Sequence, residues 1–434
     1  DFSNLAKDID EDTAKSIRMD RYTQLHLDQR ETRYYPDGLL FSPVLGIVNV
    51  DGYGLEGIER MYNQWLQGQS GKMQLIYDAK HHVVSKQRLS PGKQGKDLKL
   101  TLDRRIQYIA YDALKAMVEK TEALSGSVIV VSLEDASLLA VANYPSYDPN
   151  HRQKTQTLAW RNRAFTDLFE PGSTMKPLTA LYLLEKSGVK LADQVFTSGG
   201  KIQISGKIIE DEVMHDDWLD LGSALVVSSN VALAKFLLRT AHADPFYDFL
   251  RTLGFARRSD MGFPGEMSGH INRYHDHDHF SRGVQAFGYG LSVSLVQLVQ
   301  GYYVLASGGW FRPLHLTFSE TLFPSTRIVS EKNALAINHV LASVLAQGGT
   351  GIKAHVDGYR LSGKTGTTNL VGPHGYVDKA TDASFIGFTR QEKPGYLVAV
   401  VIRHPKQAYR FGSQSAAPVF AHIMAQLKLL GVAS

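Results

Sequence analysis

The chain has 434 residues, of which 43% are hydrophobic and 21% are charged, and this globular composition excludes a disordered or collagen-like protein. No run approaches the ~18 consecutive apolar residues that a membrane span needs, and cysteine is absent, so a multi-span membrane protein, disulfides and a cysteine nucleophile are excluded. The net charge of +4 is small and no basic run is present, so nucleic acid is not expected as a partner.

Residues 1–96 are predicted to form the first domain, and they carry no net charge. A glycine-punctuated stretch over 34–71 contains a helical spacing of apolar residues at Ile58, Met61, Tyr62 and Trp65. Short strands are predicted over 72–95, ending in a turn that places the domain boundary near residue 96. Because the chain begins with Asp1 rather than Met and shows no signal-like segment, we expect a membrane anchor or signal to lie upstream of it.

Residues 97–434 are predicted to form the second domain, in which strands at both ends enclose helices. Asp103 is predicted to cap a helix that runs to about residue 119. Further strands are predicted over 98–102, 127–132, 137–143, 359–364, 383–389 and 396–403, and helices over 174–187, 222–227, 231–240 and 417–430. This order predicts an α+β fold in which an antiparallel sheet is packed with helices.

The segment 170–177 is the most informative for chemistry, because Ser173 is placed at a helix start and Lys176 follows three residues later on the same face. A neutral lysine at this spacing would lie within reach of the serine and could accept its proton. The helix N-terminus would favour the developing negative charge and lower the pKa of the lysine. Pro177 lacks the N–H that would bond the carbonyl of Ser173, which predicts a local distortion of the helix. The alternative is a capped helix with a chance lysine.

A polar tripeptide, Ser228-Ser229-Asn230, lies between two apolar helical runs. It predicts a tight loop that presents Ser228 and Asn230 to a shared space. A hydroxyl there could relay a proton, and an amide could hold a substrate carbonyl. The alternative is an ordinary helix–helix corner.

The segment from Lys364 to Thr367 follows a predicted strand. Lys364 and the hydroxyls of Thr365 and Thr367 suit a substrate carboxylate, and Gly366 lets another backbone approach closely. The backbone N–H of Thr367 could form an oxyanion hole together with that of Ser173. The alternative is a glycine-bearing edge strand.

These motifs occur in the order S-x-x-K, S-x-N and K-T-G, with starts 55 and 136 residues apart. This ordered set is typical of penicilloyl-serine transferases. The chain resembles the class B, division-type penicillin-binding proteins over nearly its whole length after the first thirty residues. Further matching segments are Arg33-Tyr34-Tyr35-Pro36, Gly54 to Glu59, Ser125-Gly126-Ser127, Ala142 to Asn150, Arg161-Asn162-Arg163, Phe287-Gly288-Tyr289-Gly290 and Ala417-Pro418-Val419-Phe420.

The resemblance implies a transpeptidase fold with a strand-rich, non-catalytic pedestal at the N-terminus. It implies that Ser173 attacks the D-Ala-D-Ala end of a peptidoglycan stem peptide, forms an acyl-enzyme and passes it to an amine on a neighbouring stem, with no cofactor and no metal. β-Lactam antibiotics would acylate the same serine. It also implies a periplasmic catalytic domain, an N-terminal anchor in the inner membrane, and division-machinery partners that include a glycosyltransferase.

Substrate-wall residues are harder to assign, and Tyr289, Tyr376 and Phe411 are the candidates, with core packing as the alternative. Two other functions remain open. A β-lactamase or D,D-carboxypeptidase would pass the acyl group to water, although no E-x-x-L-N-like segment follows Asn230 within a hundred residues, which disfavours the class A β-lactamase subtype. A non-catalytic sensor or scaffold would retain the motifs without turnover.

Two segments lie outside this scheme. If 275–279 is extended, His275, His277 and His279 share one face and could hold zinc or nickel, whereas the alternative is a polar surface loop. The run Gly348-Gly349-Thr350-Gly351 resembles a phosphate loop but lacks the flanking strand and Gly-Lys-Ser/Thr, so a mobile turn is predicted. A regulatory role, or a role at the border of the cavity, stays open for it.

Overall fold

The computed structural model describes residues 9, 11–19, 25, 27, 32–79, 83–151, 159–215, 217–318, 323–372, 375–390, 393 and 395–431. The helices are α1 Glu11–Met19, α2 Gly38–Leu45, α3 Gly57–Met61, α4 Asn63–Leu66, α5 Arg104–Lys120, α6 Arg163–Thr166, α7 Lys176–Lys186, α8 Leu221–Val226, α9 Asn230–Leu238, α10 Asp244–Thr252, α11 His279–Gln285, α12 Leu295–Ala306, α13 Glu331–Val344 and α14 Ala416–Leu429. Short 3-10 turns cover Gly172–Met175, Ile352–Ala354 and Gln407–Tyr409.

The strands are β1 Lys72–Tyr77, β2 Val83–Ser90, β3 Ser125–Ser132, β4 Leu138–Tyr144, β5 Gln194–Phe196, β6 Lys201–Ile204, β7 Lys207–Glu210, β8 Trp218–Asp220, β9 His270–Ile271, β10 Leu291–Ser292, β11 Trp310–Phe311, β12 Thr326–Arg327, β13 Leu361–Gly372, β14 Gly375–Thr389 and β15 Tyr396–Arg403. Five of them form the central sheet in the order β13-β14-β15-β3-β4, and every neighbouring pair is antiparallel. The antiparallel sheet packed with helices, predicted from the sequence, is therefore confirmed.

Two of the three inner strands of this sheet, β3 and β15, are apolar on both faces. In β3 and β15 nearly every residue is buried, so both faces must be covered. Helices α5 and α14 contact each other and the sheet, and α12 contacts the sheet as well. Strand β13 lies at the sheet edge, where it contacts α13 and the 3-10 turn Gly172–Met175. The predicted nucleophile therefore lies between the edge of the sheet and the helices α7, α8, α9 and α13.

The N-terminal part packs directly on the sheet domain. Helix α2 contacts α5 and β4, Gln107 Nε2 donates to the carbonyl of Leu40 at 2.7 Å, and Ser42 Oγ donates to the carbonyl of Tyr147 at 2.6 Å. The β1–β2 hairpin, in contrast, is exposed along nearly its whole length. Within the described ranges no helix has the length and apolarity needed to cross a membrane.

The local predictions met with different outcomes. The Asp103 cap is confirmed, since its side chain accepts from the N–H groups of Arg105 and Ile106. The strand predicted over 98–102 is wrong. Thr101 there bonds the carbonyl of Leu316 through its N–H and that of Leu138 through its hydroxyl, so the segment bridges two elements instead of extending one. The helical spacing over 58–65 became two short helices that break at residue 62.

Candidate active site

Ser173 lies on the 3-10 turn Gly172–Met175, and this turn leads directly into α7, which begins at Lys176. Pro177 has no N–H to donate to the carbonyl of Ser173. That carbonyl instead accepts from the N–H of Lys176, three residues on, which is 3-10 geometry. The distortion predicted beside the nucleophile is confirmed, and it sets Ser173 on a tighter turn than the helix that follows.

Ser228 is the side chain that joins the three motifs. Its Oγ lies 3.2 Å from Ser173 Oγ, 3.0 Å from Lys176 Nζ and 2.9 Å from Lys364 Nζ. A hydroxyl has one proton to donate and two lone pairs to accept with, so these three contacts use its full capacity. Lys176 Nζ also donates to the main-chain carbonyl of Ser228. Both acceptor atoms of Ser228 therefore face the same lysine.

The predicted reach from Lys176 to the nucleophile is indirect in this structure. Between the side chains of Lys176 and Ser173, both of which the structure describes, there is no direct hydrogen bond, and Ser228 Oγ connects Lys176 Nζ with Ser173 Oγ. Ser228 itself has a backbone φ of 63°, a left-handed conformation that L-residues rarely adopt. Such strain persists where the surroundings determine it, and it is common at functional sites.

Both lysines of the site are fully buried. Burial lowers the pKa of Lys176 to about 8, against the opposing charges of Asp211 and Glu212. Burial, followed by the positive charge of Lys176, holds the pKa of Lys364 well below its usual range, while Glu212 opposes this. The lowered pKa predicted for Lys176 is thus found, with burial as its main cause. A carboxylate bound beside Lys364 would favour its charged form.

The S-S-N loop is held by the end of β7. Asn230 Nδ2 donates to the carbonyl of Glu210 at 2.9 Å, so this amide is engaged within the protein. The carboxylate of Asp211 accepts from the N–H groups of Asn230 and Val231, the latter at 3.0 Å, and from Ser229 Oγ at 2.7 Å. The predicted tight turn is found at Ser228 and Ser229, but Asn230 already begins α9 and its amide bonds Glu210 instead of facing the space that Ser228 faces. The partner segment was not apparent from the sequence.

The K-T-G-T segment lies within β13, which is longer than predicted. Its hydroxyls have partners on other elements: Thr365 Oγ1 donates to Thr350 Oγ1 at 3.2 Å, and Thr367 Oγ1 accepts from the N–H of Gly412 at 3.0 Å. The contact to Thr350 places the run 348–351 beside this strand, at the border of the site. The carbonyl of Thr367 faces the nucleophile turn, because a Cβ on Gly172 would lie 3.2 Å from it.

Glycines allow the backbones around Ser173 to approach closely. A Cβ on Gly366 would lie 2.9 Å from Thr174 Cγ2 and 3.0 Å from the carbonyl of Pro171. Gly288 has a φ of 90°, and a Cβ there would lie 2.3 Å from the carbonyl oxygen of Gly172. The close approach predicted for Gly366 is therefore found on both sides of the nucleophile turn.

Of the three predicted substrate-wall residues, the structure describes the side chains of Tyr289 and Phe411. Tyr289 is half-buried, lies edge-on to Phe287 with ring centroids 5.6 Å apart, and follows the glycine that contacts the nucleophile turn. Burial raises the pKa of Tyr289 to about 12. Phe411 is half-buried with the guanidinium of Arg410 4.5 Å above its ring. The side chain of Tyr376 lies outside the described part of the chain.

The histidine run does not form the extended segment that was considered. His275 and His277 stack with ring centroids 5.4 Å apart, but Asp278 caps α11 and His279 is the first residue of that helix. Asp276 instead binds His242 at 2.8 Å. Across the described residues, no three metal-ligating side chains converge on one point.

Three groups around the site were missed at the sequence level. Asp211 and Glu170 are carboxylates that bond main-chain N–H groups far along the chain, with Glu170 Oε1 accepting from Gly290 at 2.9 Å. No local pattern marks such residues. Gly412 packs against Gly366, and a Cβ on Gly412 would lie 2.4 Å from the carbonyl oxygen of Gly366. The sequence signal that could have indicated this contact is a glycine directly after Phe411.

With this geometry in place, the comparisons identify the class of protein. Residues 126–425 match the model of the penicillin binding protein transpeptidase domain, and residues 2–100 match that of the penicillin-binding protein dimerisation domain. The chain belongs to the penicillin-binding protein transpeptidase family, and the resemblance seen in the motifs is confirmed.

Individual relatives show which members of this family the chain is similar to. The chain is 34% identical over 424 residues to the peptidoglycan D,D-transpeptidase FtsI of Escherichia coli K12, an alignment that covers 98% of this chain and 71% of that protein. The transpeptidase domain of penicillin-binding protein 3 from Burkholderia pseudomallei has 31% identity and a TM-score of 0.69, over 77% of this chain and 97% of that one. Penicillin-binding protein 3 from Mycobacterium tuberculosis, solved with aztreonam, has 26% identity and a TM-score of 0.81, over 93% and 91%.

Proposed function

We propose that this protein is a peptidoglycan D,D-transpeptidase that cross-links D-Ala-D-Ala stem peptides through a Ser173 acyl-enzyme during septal cell-wall synthesis. The observation that carries the proposal is the Ser228 hydroxyl, which lies within hydrogen-bonding distance of Ser173, Lys176 and Lys364 at once. Family membership and the FtsI relative support the same reaction.

Acylation begins with attack of Ser173 Oγ on the carbonyl carbon of the penultimate D-Ala. In the structure Ser228 donates to Ser173 and accepts from Lys176, so both hydrogen bonds reverse for this step. The proton of Ser173 then passes to Ser228 Oγ, and the proton of Ser228 passes to the lone pair of neutral Lys176. The main-chain carbonyl of Ser228 accepts an N–H of the same amine and so keeps that lone pair aimed at the hydroxyl. The leaving D-Ala amine takes the proton as the C–N bond breaks, and a Ser173 ester remains.

Deacylation repeats these steps with an amine of a neighbouring stem peptide as the nucleophile. The amine attacks the ester, Ser173 takes back a proton, and an amide cross-link forms. A β-lactam ring opens on the same serine in the acylation step. Because its amine stays tethered to the acyl group, this adduct is expected to be long-lived.

Substrate is bound around this reacting centre. The backbone N–H groups of Ser173 and Thr367 form the oxyanion hole, which the contact between the Gly172 turn and the carbonyl of Thr367 supports. Lys364 and Thr365 hold the terminal carboxylate, Asn230 and Gly366 border the stem peptide, and Tyr289 and Phe411 form its walls.

The wider setting is also a proposal. Residues 1–96 form the pedestal and 97–434 the catalytic domain, which the location of the five-stranded sheet entirely after residue 97 supports. The catalytic domain works in the periplasm, held to the inner membrane by an N-terminal helix. It acts with membrane proteins of the division machinery, including a glycosyltransferase.

The direct test is labelling with a fluorescent penicillin, followed by mass spectrometry of the intact protein and mapping of the modified peptide. We expect one stable adduct per molecule on Ser173, lost in Ser173→Ala because that variant has no nucleophile. A melting curve checks that the variant is folded.

The same assay separates the other functions. Rapid loss of the label would indicate a β-lactamase, and release of D-Ala from a stem peptide without cross-linking would indicate a carboxypeptidase. Absence of any adduct on the folded wild-type protein would indicate a sensor or scaffold and would contradict the proposal.

Acylation is expected to depend on pH through Lys176. The lysine accepts a proton when neutral, so with a pKa of about 8 the second-order rate constant should rise with pH and level off above that value. Below the pKa, each pH unit should lower the rate by about tenfold. The measurement is the rate of penicillin labelling from pH 5.5 to 9.5, with Lys186→Ala at the far end of α7 as control. A flat profile over this range would rule out a titrating lysine base.

A further inference from the structure

The end of strand β7 contacts the active site, although no residue of this segment belongs to the three sequence motifs. Asp211 follows β7 directly, and only 3% of its side chain is exposed. Its carboxylate accepts hydrogen bonds from Ser229 Oγ and from the main-chain N–H groups of Asn230 and Val231. His215 Nε2 bonds the same carboxylate.

These bonds satisfy the start of α9. The first N–H groups of a helix have no partner within the helix and need one from elsewhere. Here Asp211 takes those of Asn230 and Val231, and Ser229 Oγ takes that of Ala232 at 2.9 Å. The loop is thus fixed immediately after Ser228, the residue whose hydroxyl joins the two lysines to the nucleophile.

Ser228 needs such support because its backbone is left-handed, with a φ of 63°. An L-residue in this conformation relaxes unless its neighbours are held. Relaxation would swing the Ser228 hydroxyl and carbonyl away from Lys176. A displacement of about 1 Å in a reacting group can cost on the order of 10²-fold in rate.

Asp211 is itself held from the opposite side. Its N–H donates to the carbonyl of Gly200 at 2.8 Å. Gly200 has a φ of 98°, and a Cβ there would lie 3.2 Å from the Asp211 carboxylate and 3.4 Å from His215 Nε2. The carboxylate therefore sits between the turn before β6 and the start of α9, with little freedom to move.

We propose that Asp211 is a positioning residue for acylation: its carboxylate fixes the Ser228-Ser229-Asn230 loop and thereby holds the Ser228 hydroxyl against Ser173 and Lys176. This inference rests on the proposed transpeptidase function. Asp211 does not touch the substrate and acts through the loop.

The test compares acylation by labelled penicillin in the full chain and its variants. Asp211→Asn keeps one acceptor oxygen for the main-chain N–H groups, but its NH₂ group replaces the oxygen that bonds Ser229 and His215 and can accept from neither, so we expect an acylation rate constant about 10-fold lower. Asp211→Ala removes every acceptor, and we expect a loss of about 100-fold or more. Asp103→Asn is the matched control, since Asp103 also accepts from two main-chain N–H groups at a helix start, but far from the site. It should acylate within about twofold of wild type and lose little in melting temperature, because asparagine caps a helix about as well as aspartate does.

A second readout separates positioning from charge. Lys176 is faced by Lys364, Asp211 and Glu212, and Glu212 is exposed and lies outside the loop contacts. Glu212→Gln should move the rising limb of the pH–rate profile to lower pH and leave its plateau unchanged. Asp211→Asn should move the limb in the same direction and also lower the plateau.

The outcomes are distinct. Stoichiometric labelling gives the active fraction, so a rate constant per active molecule excludes simple loss of folded protein. An Asp211→Asn plateau within twofold of wild type, or a loss explained wholly by the active fraction, would overturn the inference, even if Asp211→Ala does not fold. If wild type itself is not acylated, the proposed function fails instead.

Discussion

Replacement of Lys176 by alanine is expected to lower the rate of penicillin acylation by about 10³-fold while the protein stays folded. In the proposed mechanism this side chain is the base that receives the Ser173 proton through Ser228, and no other described amine faces the Ser228 carbonyl as it does. Folding should survive, because removing a buried amine also removes the cost of keeping it out of water and relieves its repulsion with Lys364. Labelling reactions stopped at successive times measure the acylation rate, and a melting curve measures whether the variant is folded.

The controls for this prediction lie on the same helix and in the same relay. Lys186→Ala, at the last residue of α7, should acylate at the wild-type rate. Ser228→Ala should be impaired to a similar degree as Lys176→Ala, because both interrupt one proton path. Full-rate acylation of a Lys176→Ala protein would exclude the lysine as base, and full-rate acylation of Ser228→Ala would exclude the relay.

Gly288→Ala is expected to be the most disruptive single substitution next to the nucleophile. Its φ of 90° is strained for alanine, and the added Cβ would lie 2.3 Å from the carbonyl oxygen and 2.5 Å from the nitrogen of Gly172. Strain and overlap together should lower the free energy of unfolding by about 3 kcal/mol or more. Displacement of the Gly172–Met175 turn should also lower the acylation rate constant of the molecules that remain folded.

A glycine that also has a positive φ, but no neighbours near its Cβ position, separates backbone strain from steric overlap in the effect of Gly288→Ala. Gly262 has a φ of 70°, and nothing lies within 4 Å of its Cβ position. Gly262→Ala should therefore cost about 1–2 kcal/mol from backbone strain and leave acylation unchanged. Denaturant titrations of the two variants measure the difference, and equal losses in both would show that the contact with Gly172 is unimportant.

The sheet and the catalytic motifs were accessible from the sequence because each carries a local signal. Strands β3 and β15 contain continuous apolar runs, and Pro177 beside the S-x-x-K motif predicted the distorted turn that carries Ser173. The later part of β13 was missed, since Thr365, Gly366 and Thr367 have the polar and small side chains that are typical of loops. The part of β14 before residue 383 was missed as well.

The contacts between motifs could not be predicted, because they depend on long-range packing. The spacing of Ser173 and Lys176 indicated a direct bond, but Ser228, 55 residues away, lies between them. The role of Asp211 depends on a helix start that follows it by about twenty residues, and a capping side chain that is remote in sequence leaves no local pattern. The extended conformation considered for residues 275–279 was wrong for a local reason, because a helix begins at His279 and ends the alternation of side chains.

The assembly of the site from distant segments has a consequence for how the protein can be assayed. Ser173, Ser228 and Lys364 meet only when residues separated by 55 and 136 positions have closed into the native topology. Closing loops of this length costs chain entropy, so we expect these contacts only in the folded domain, where its packing offsets that cost. A covalent penicillin adduct is therefore a record that one molecule was fully native at the moment of reaction. Counting adducts over time in a denaturant series would report the unfolding equilibrium of the whole catalytic domain through a single serine.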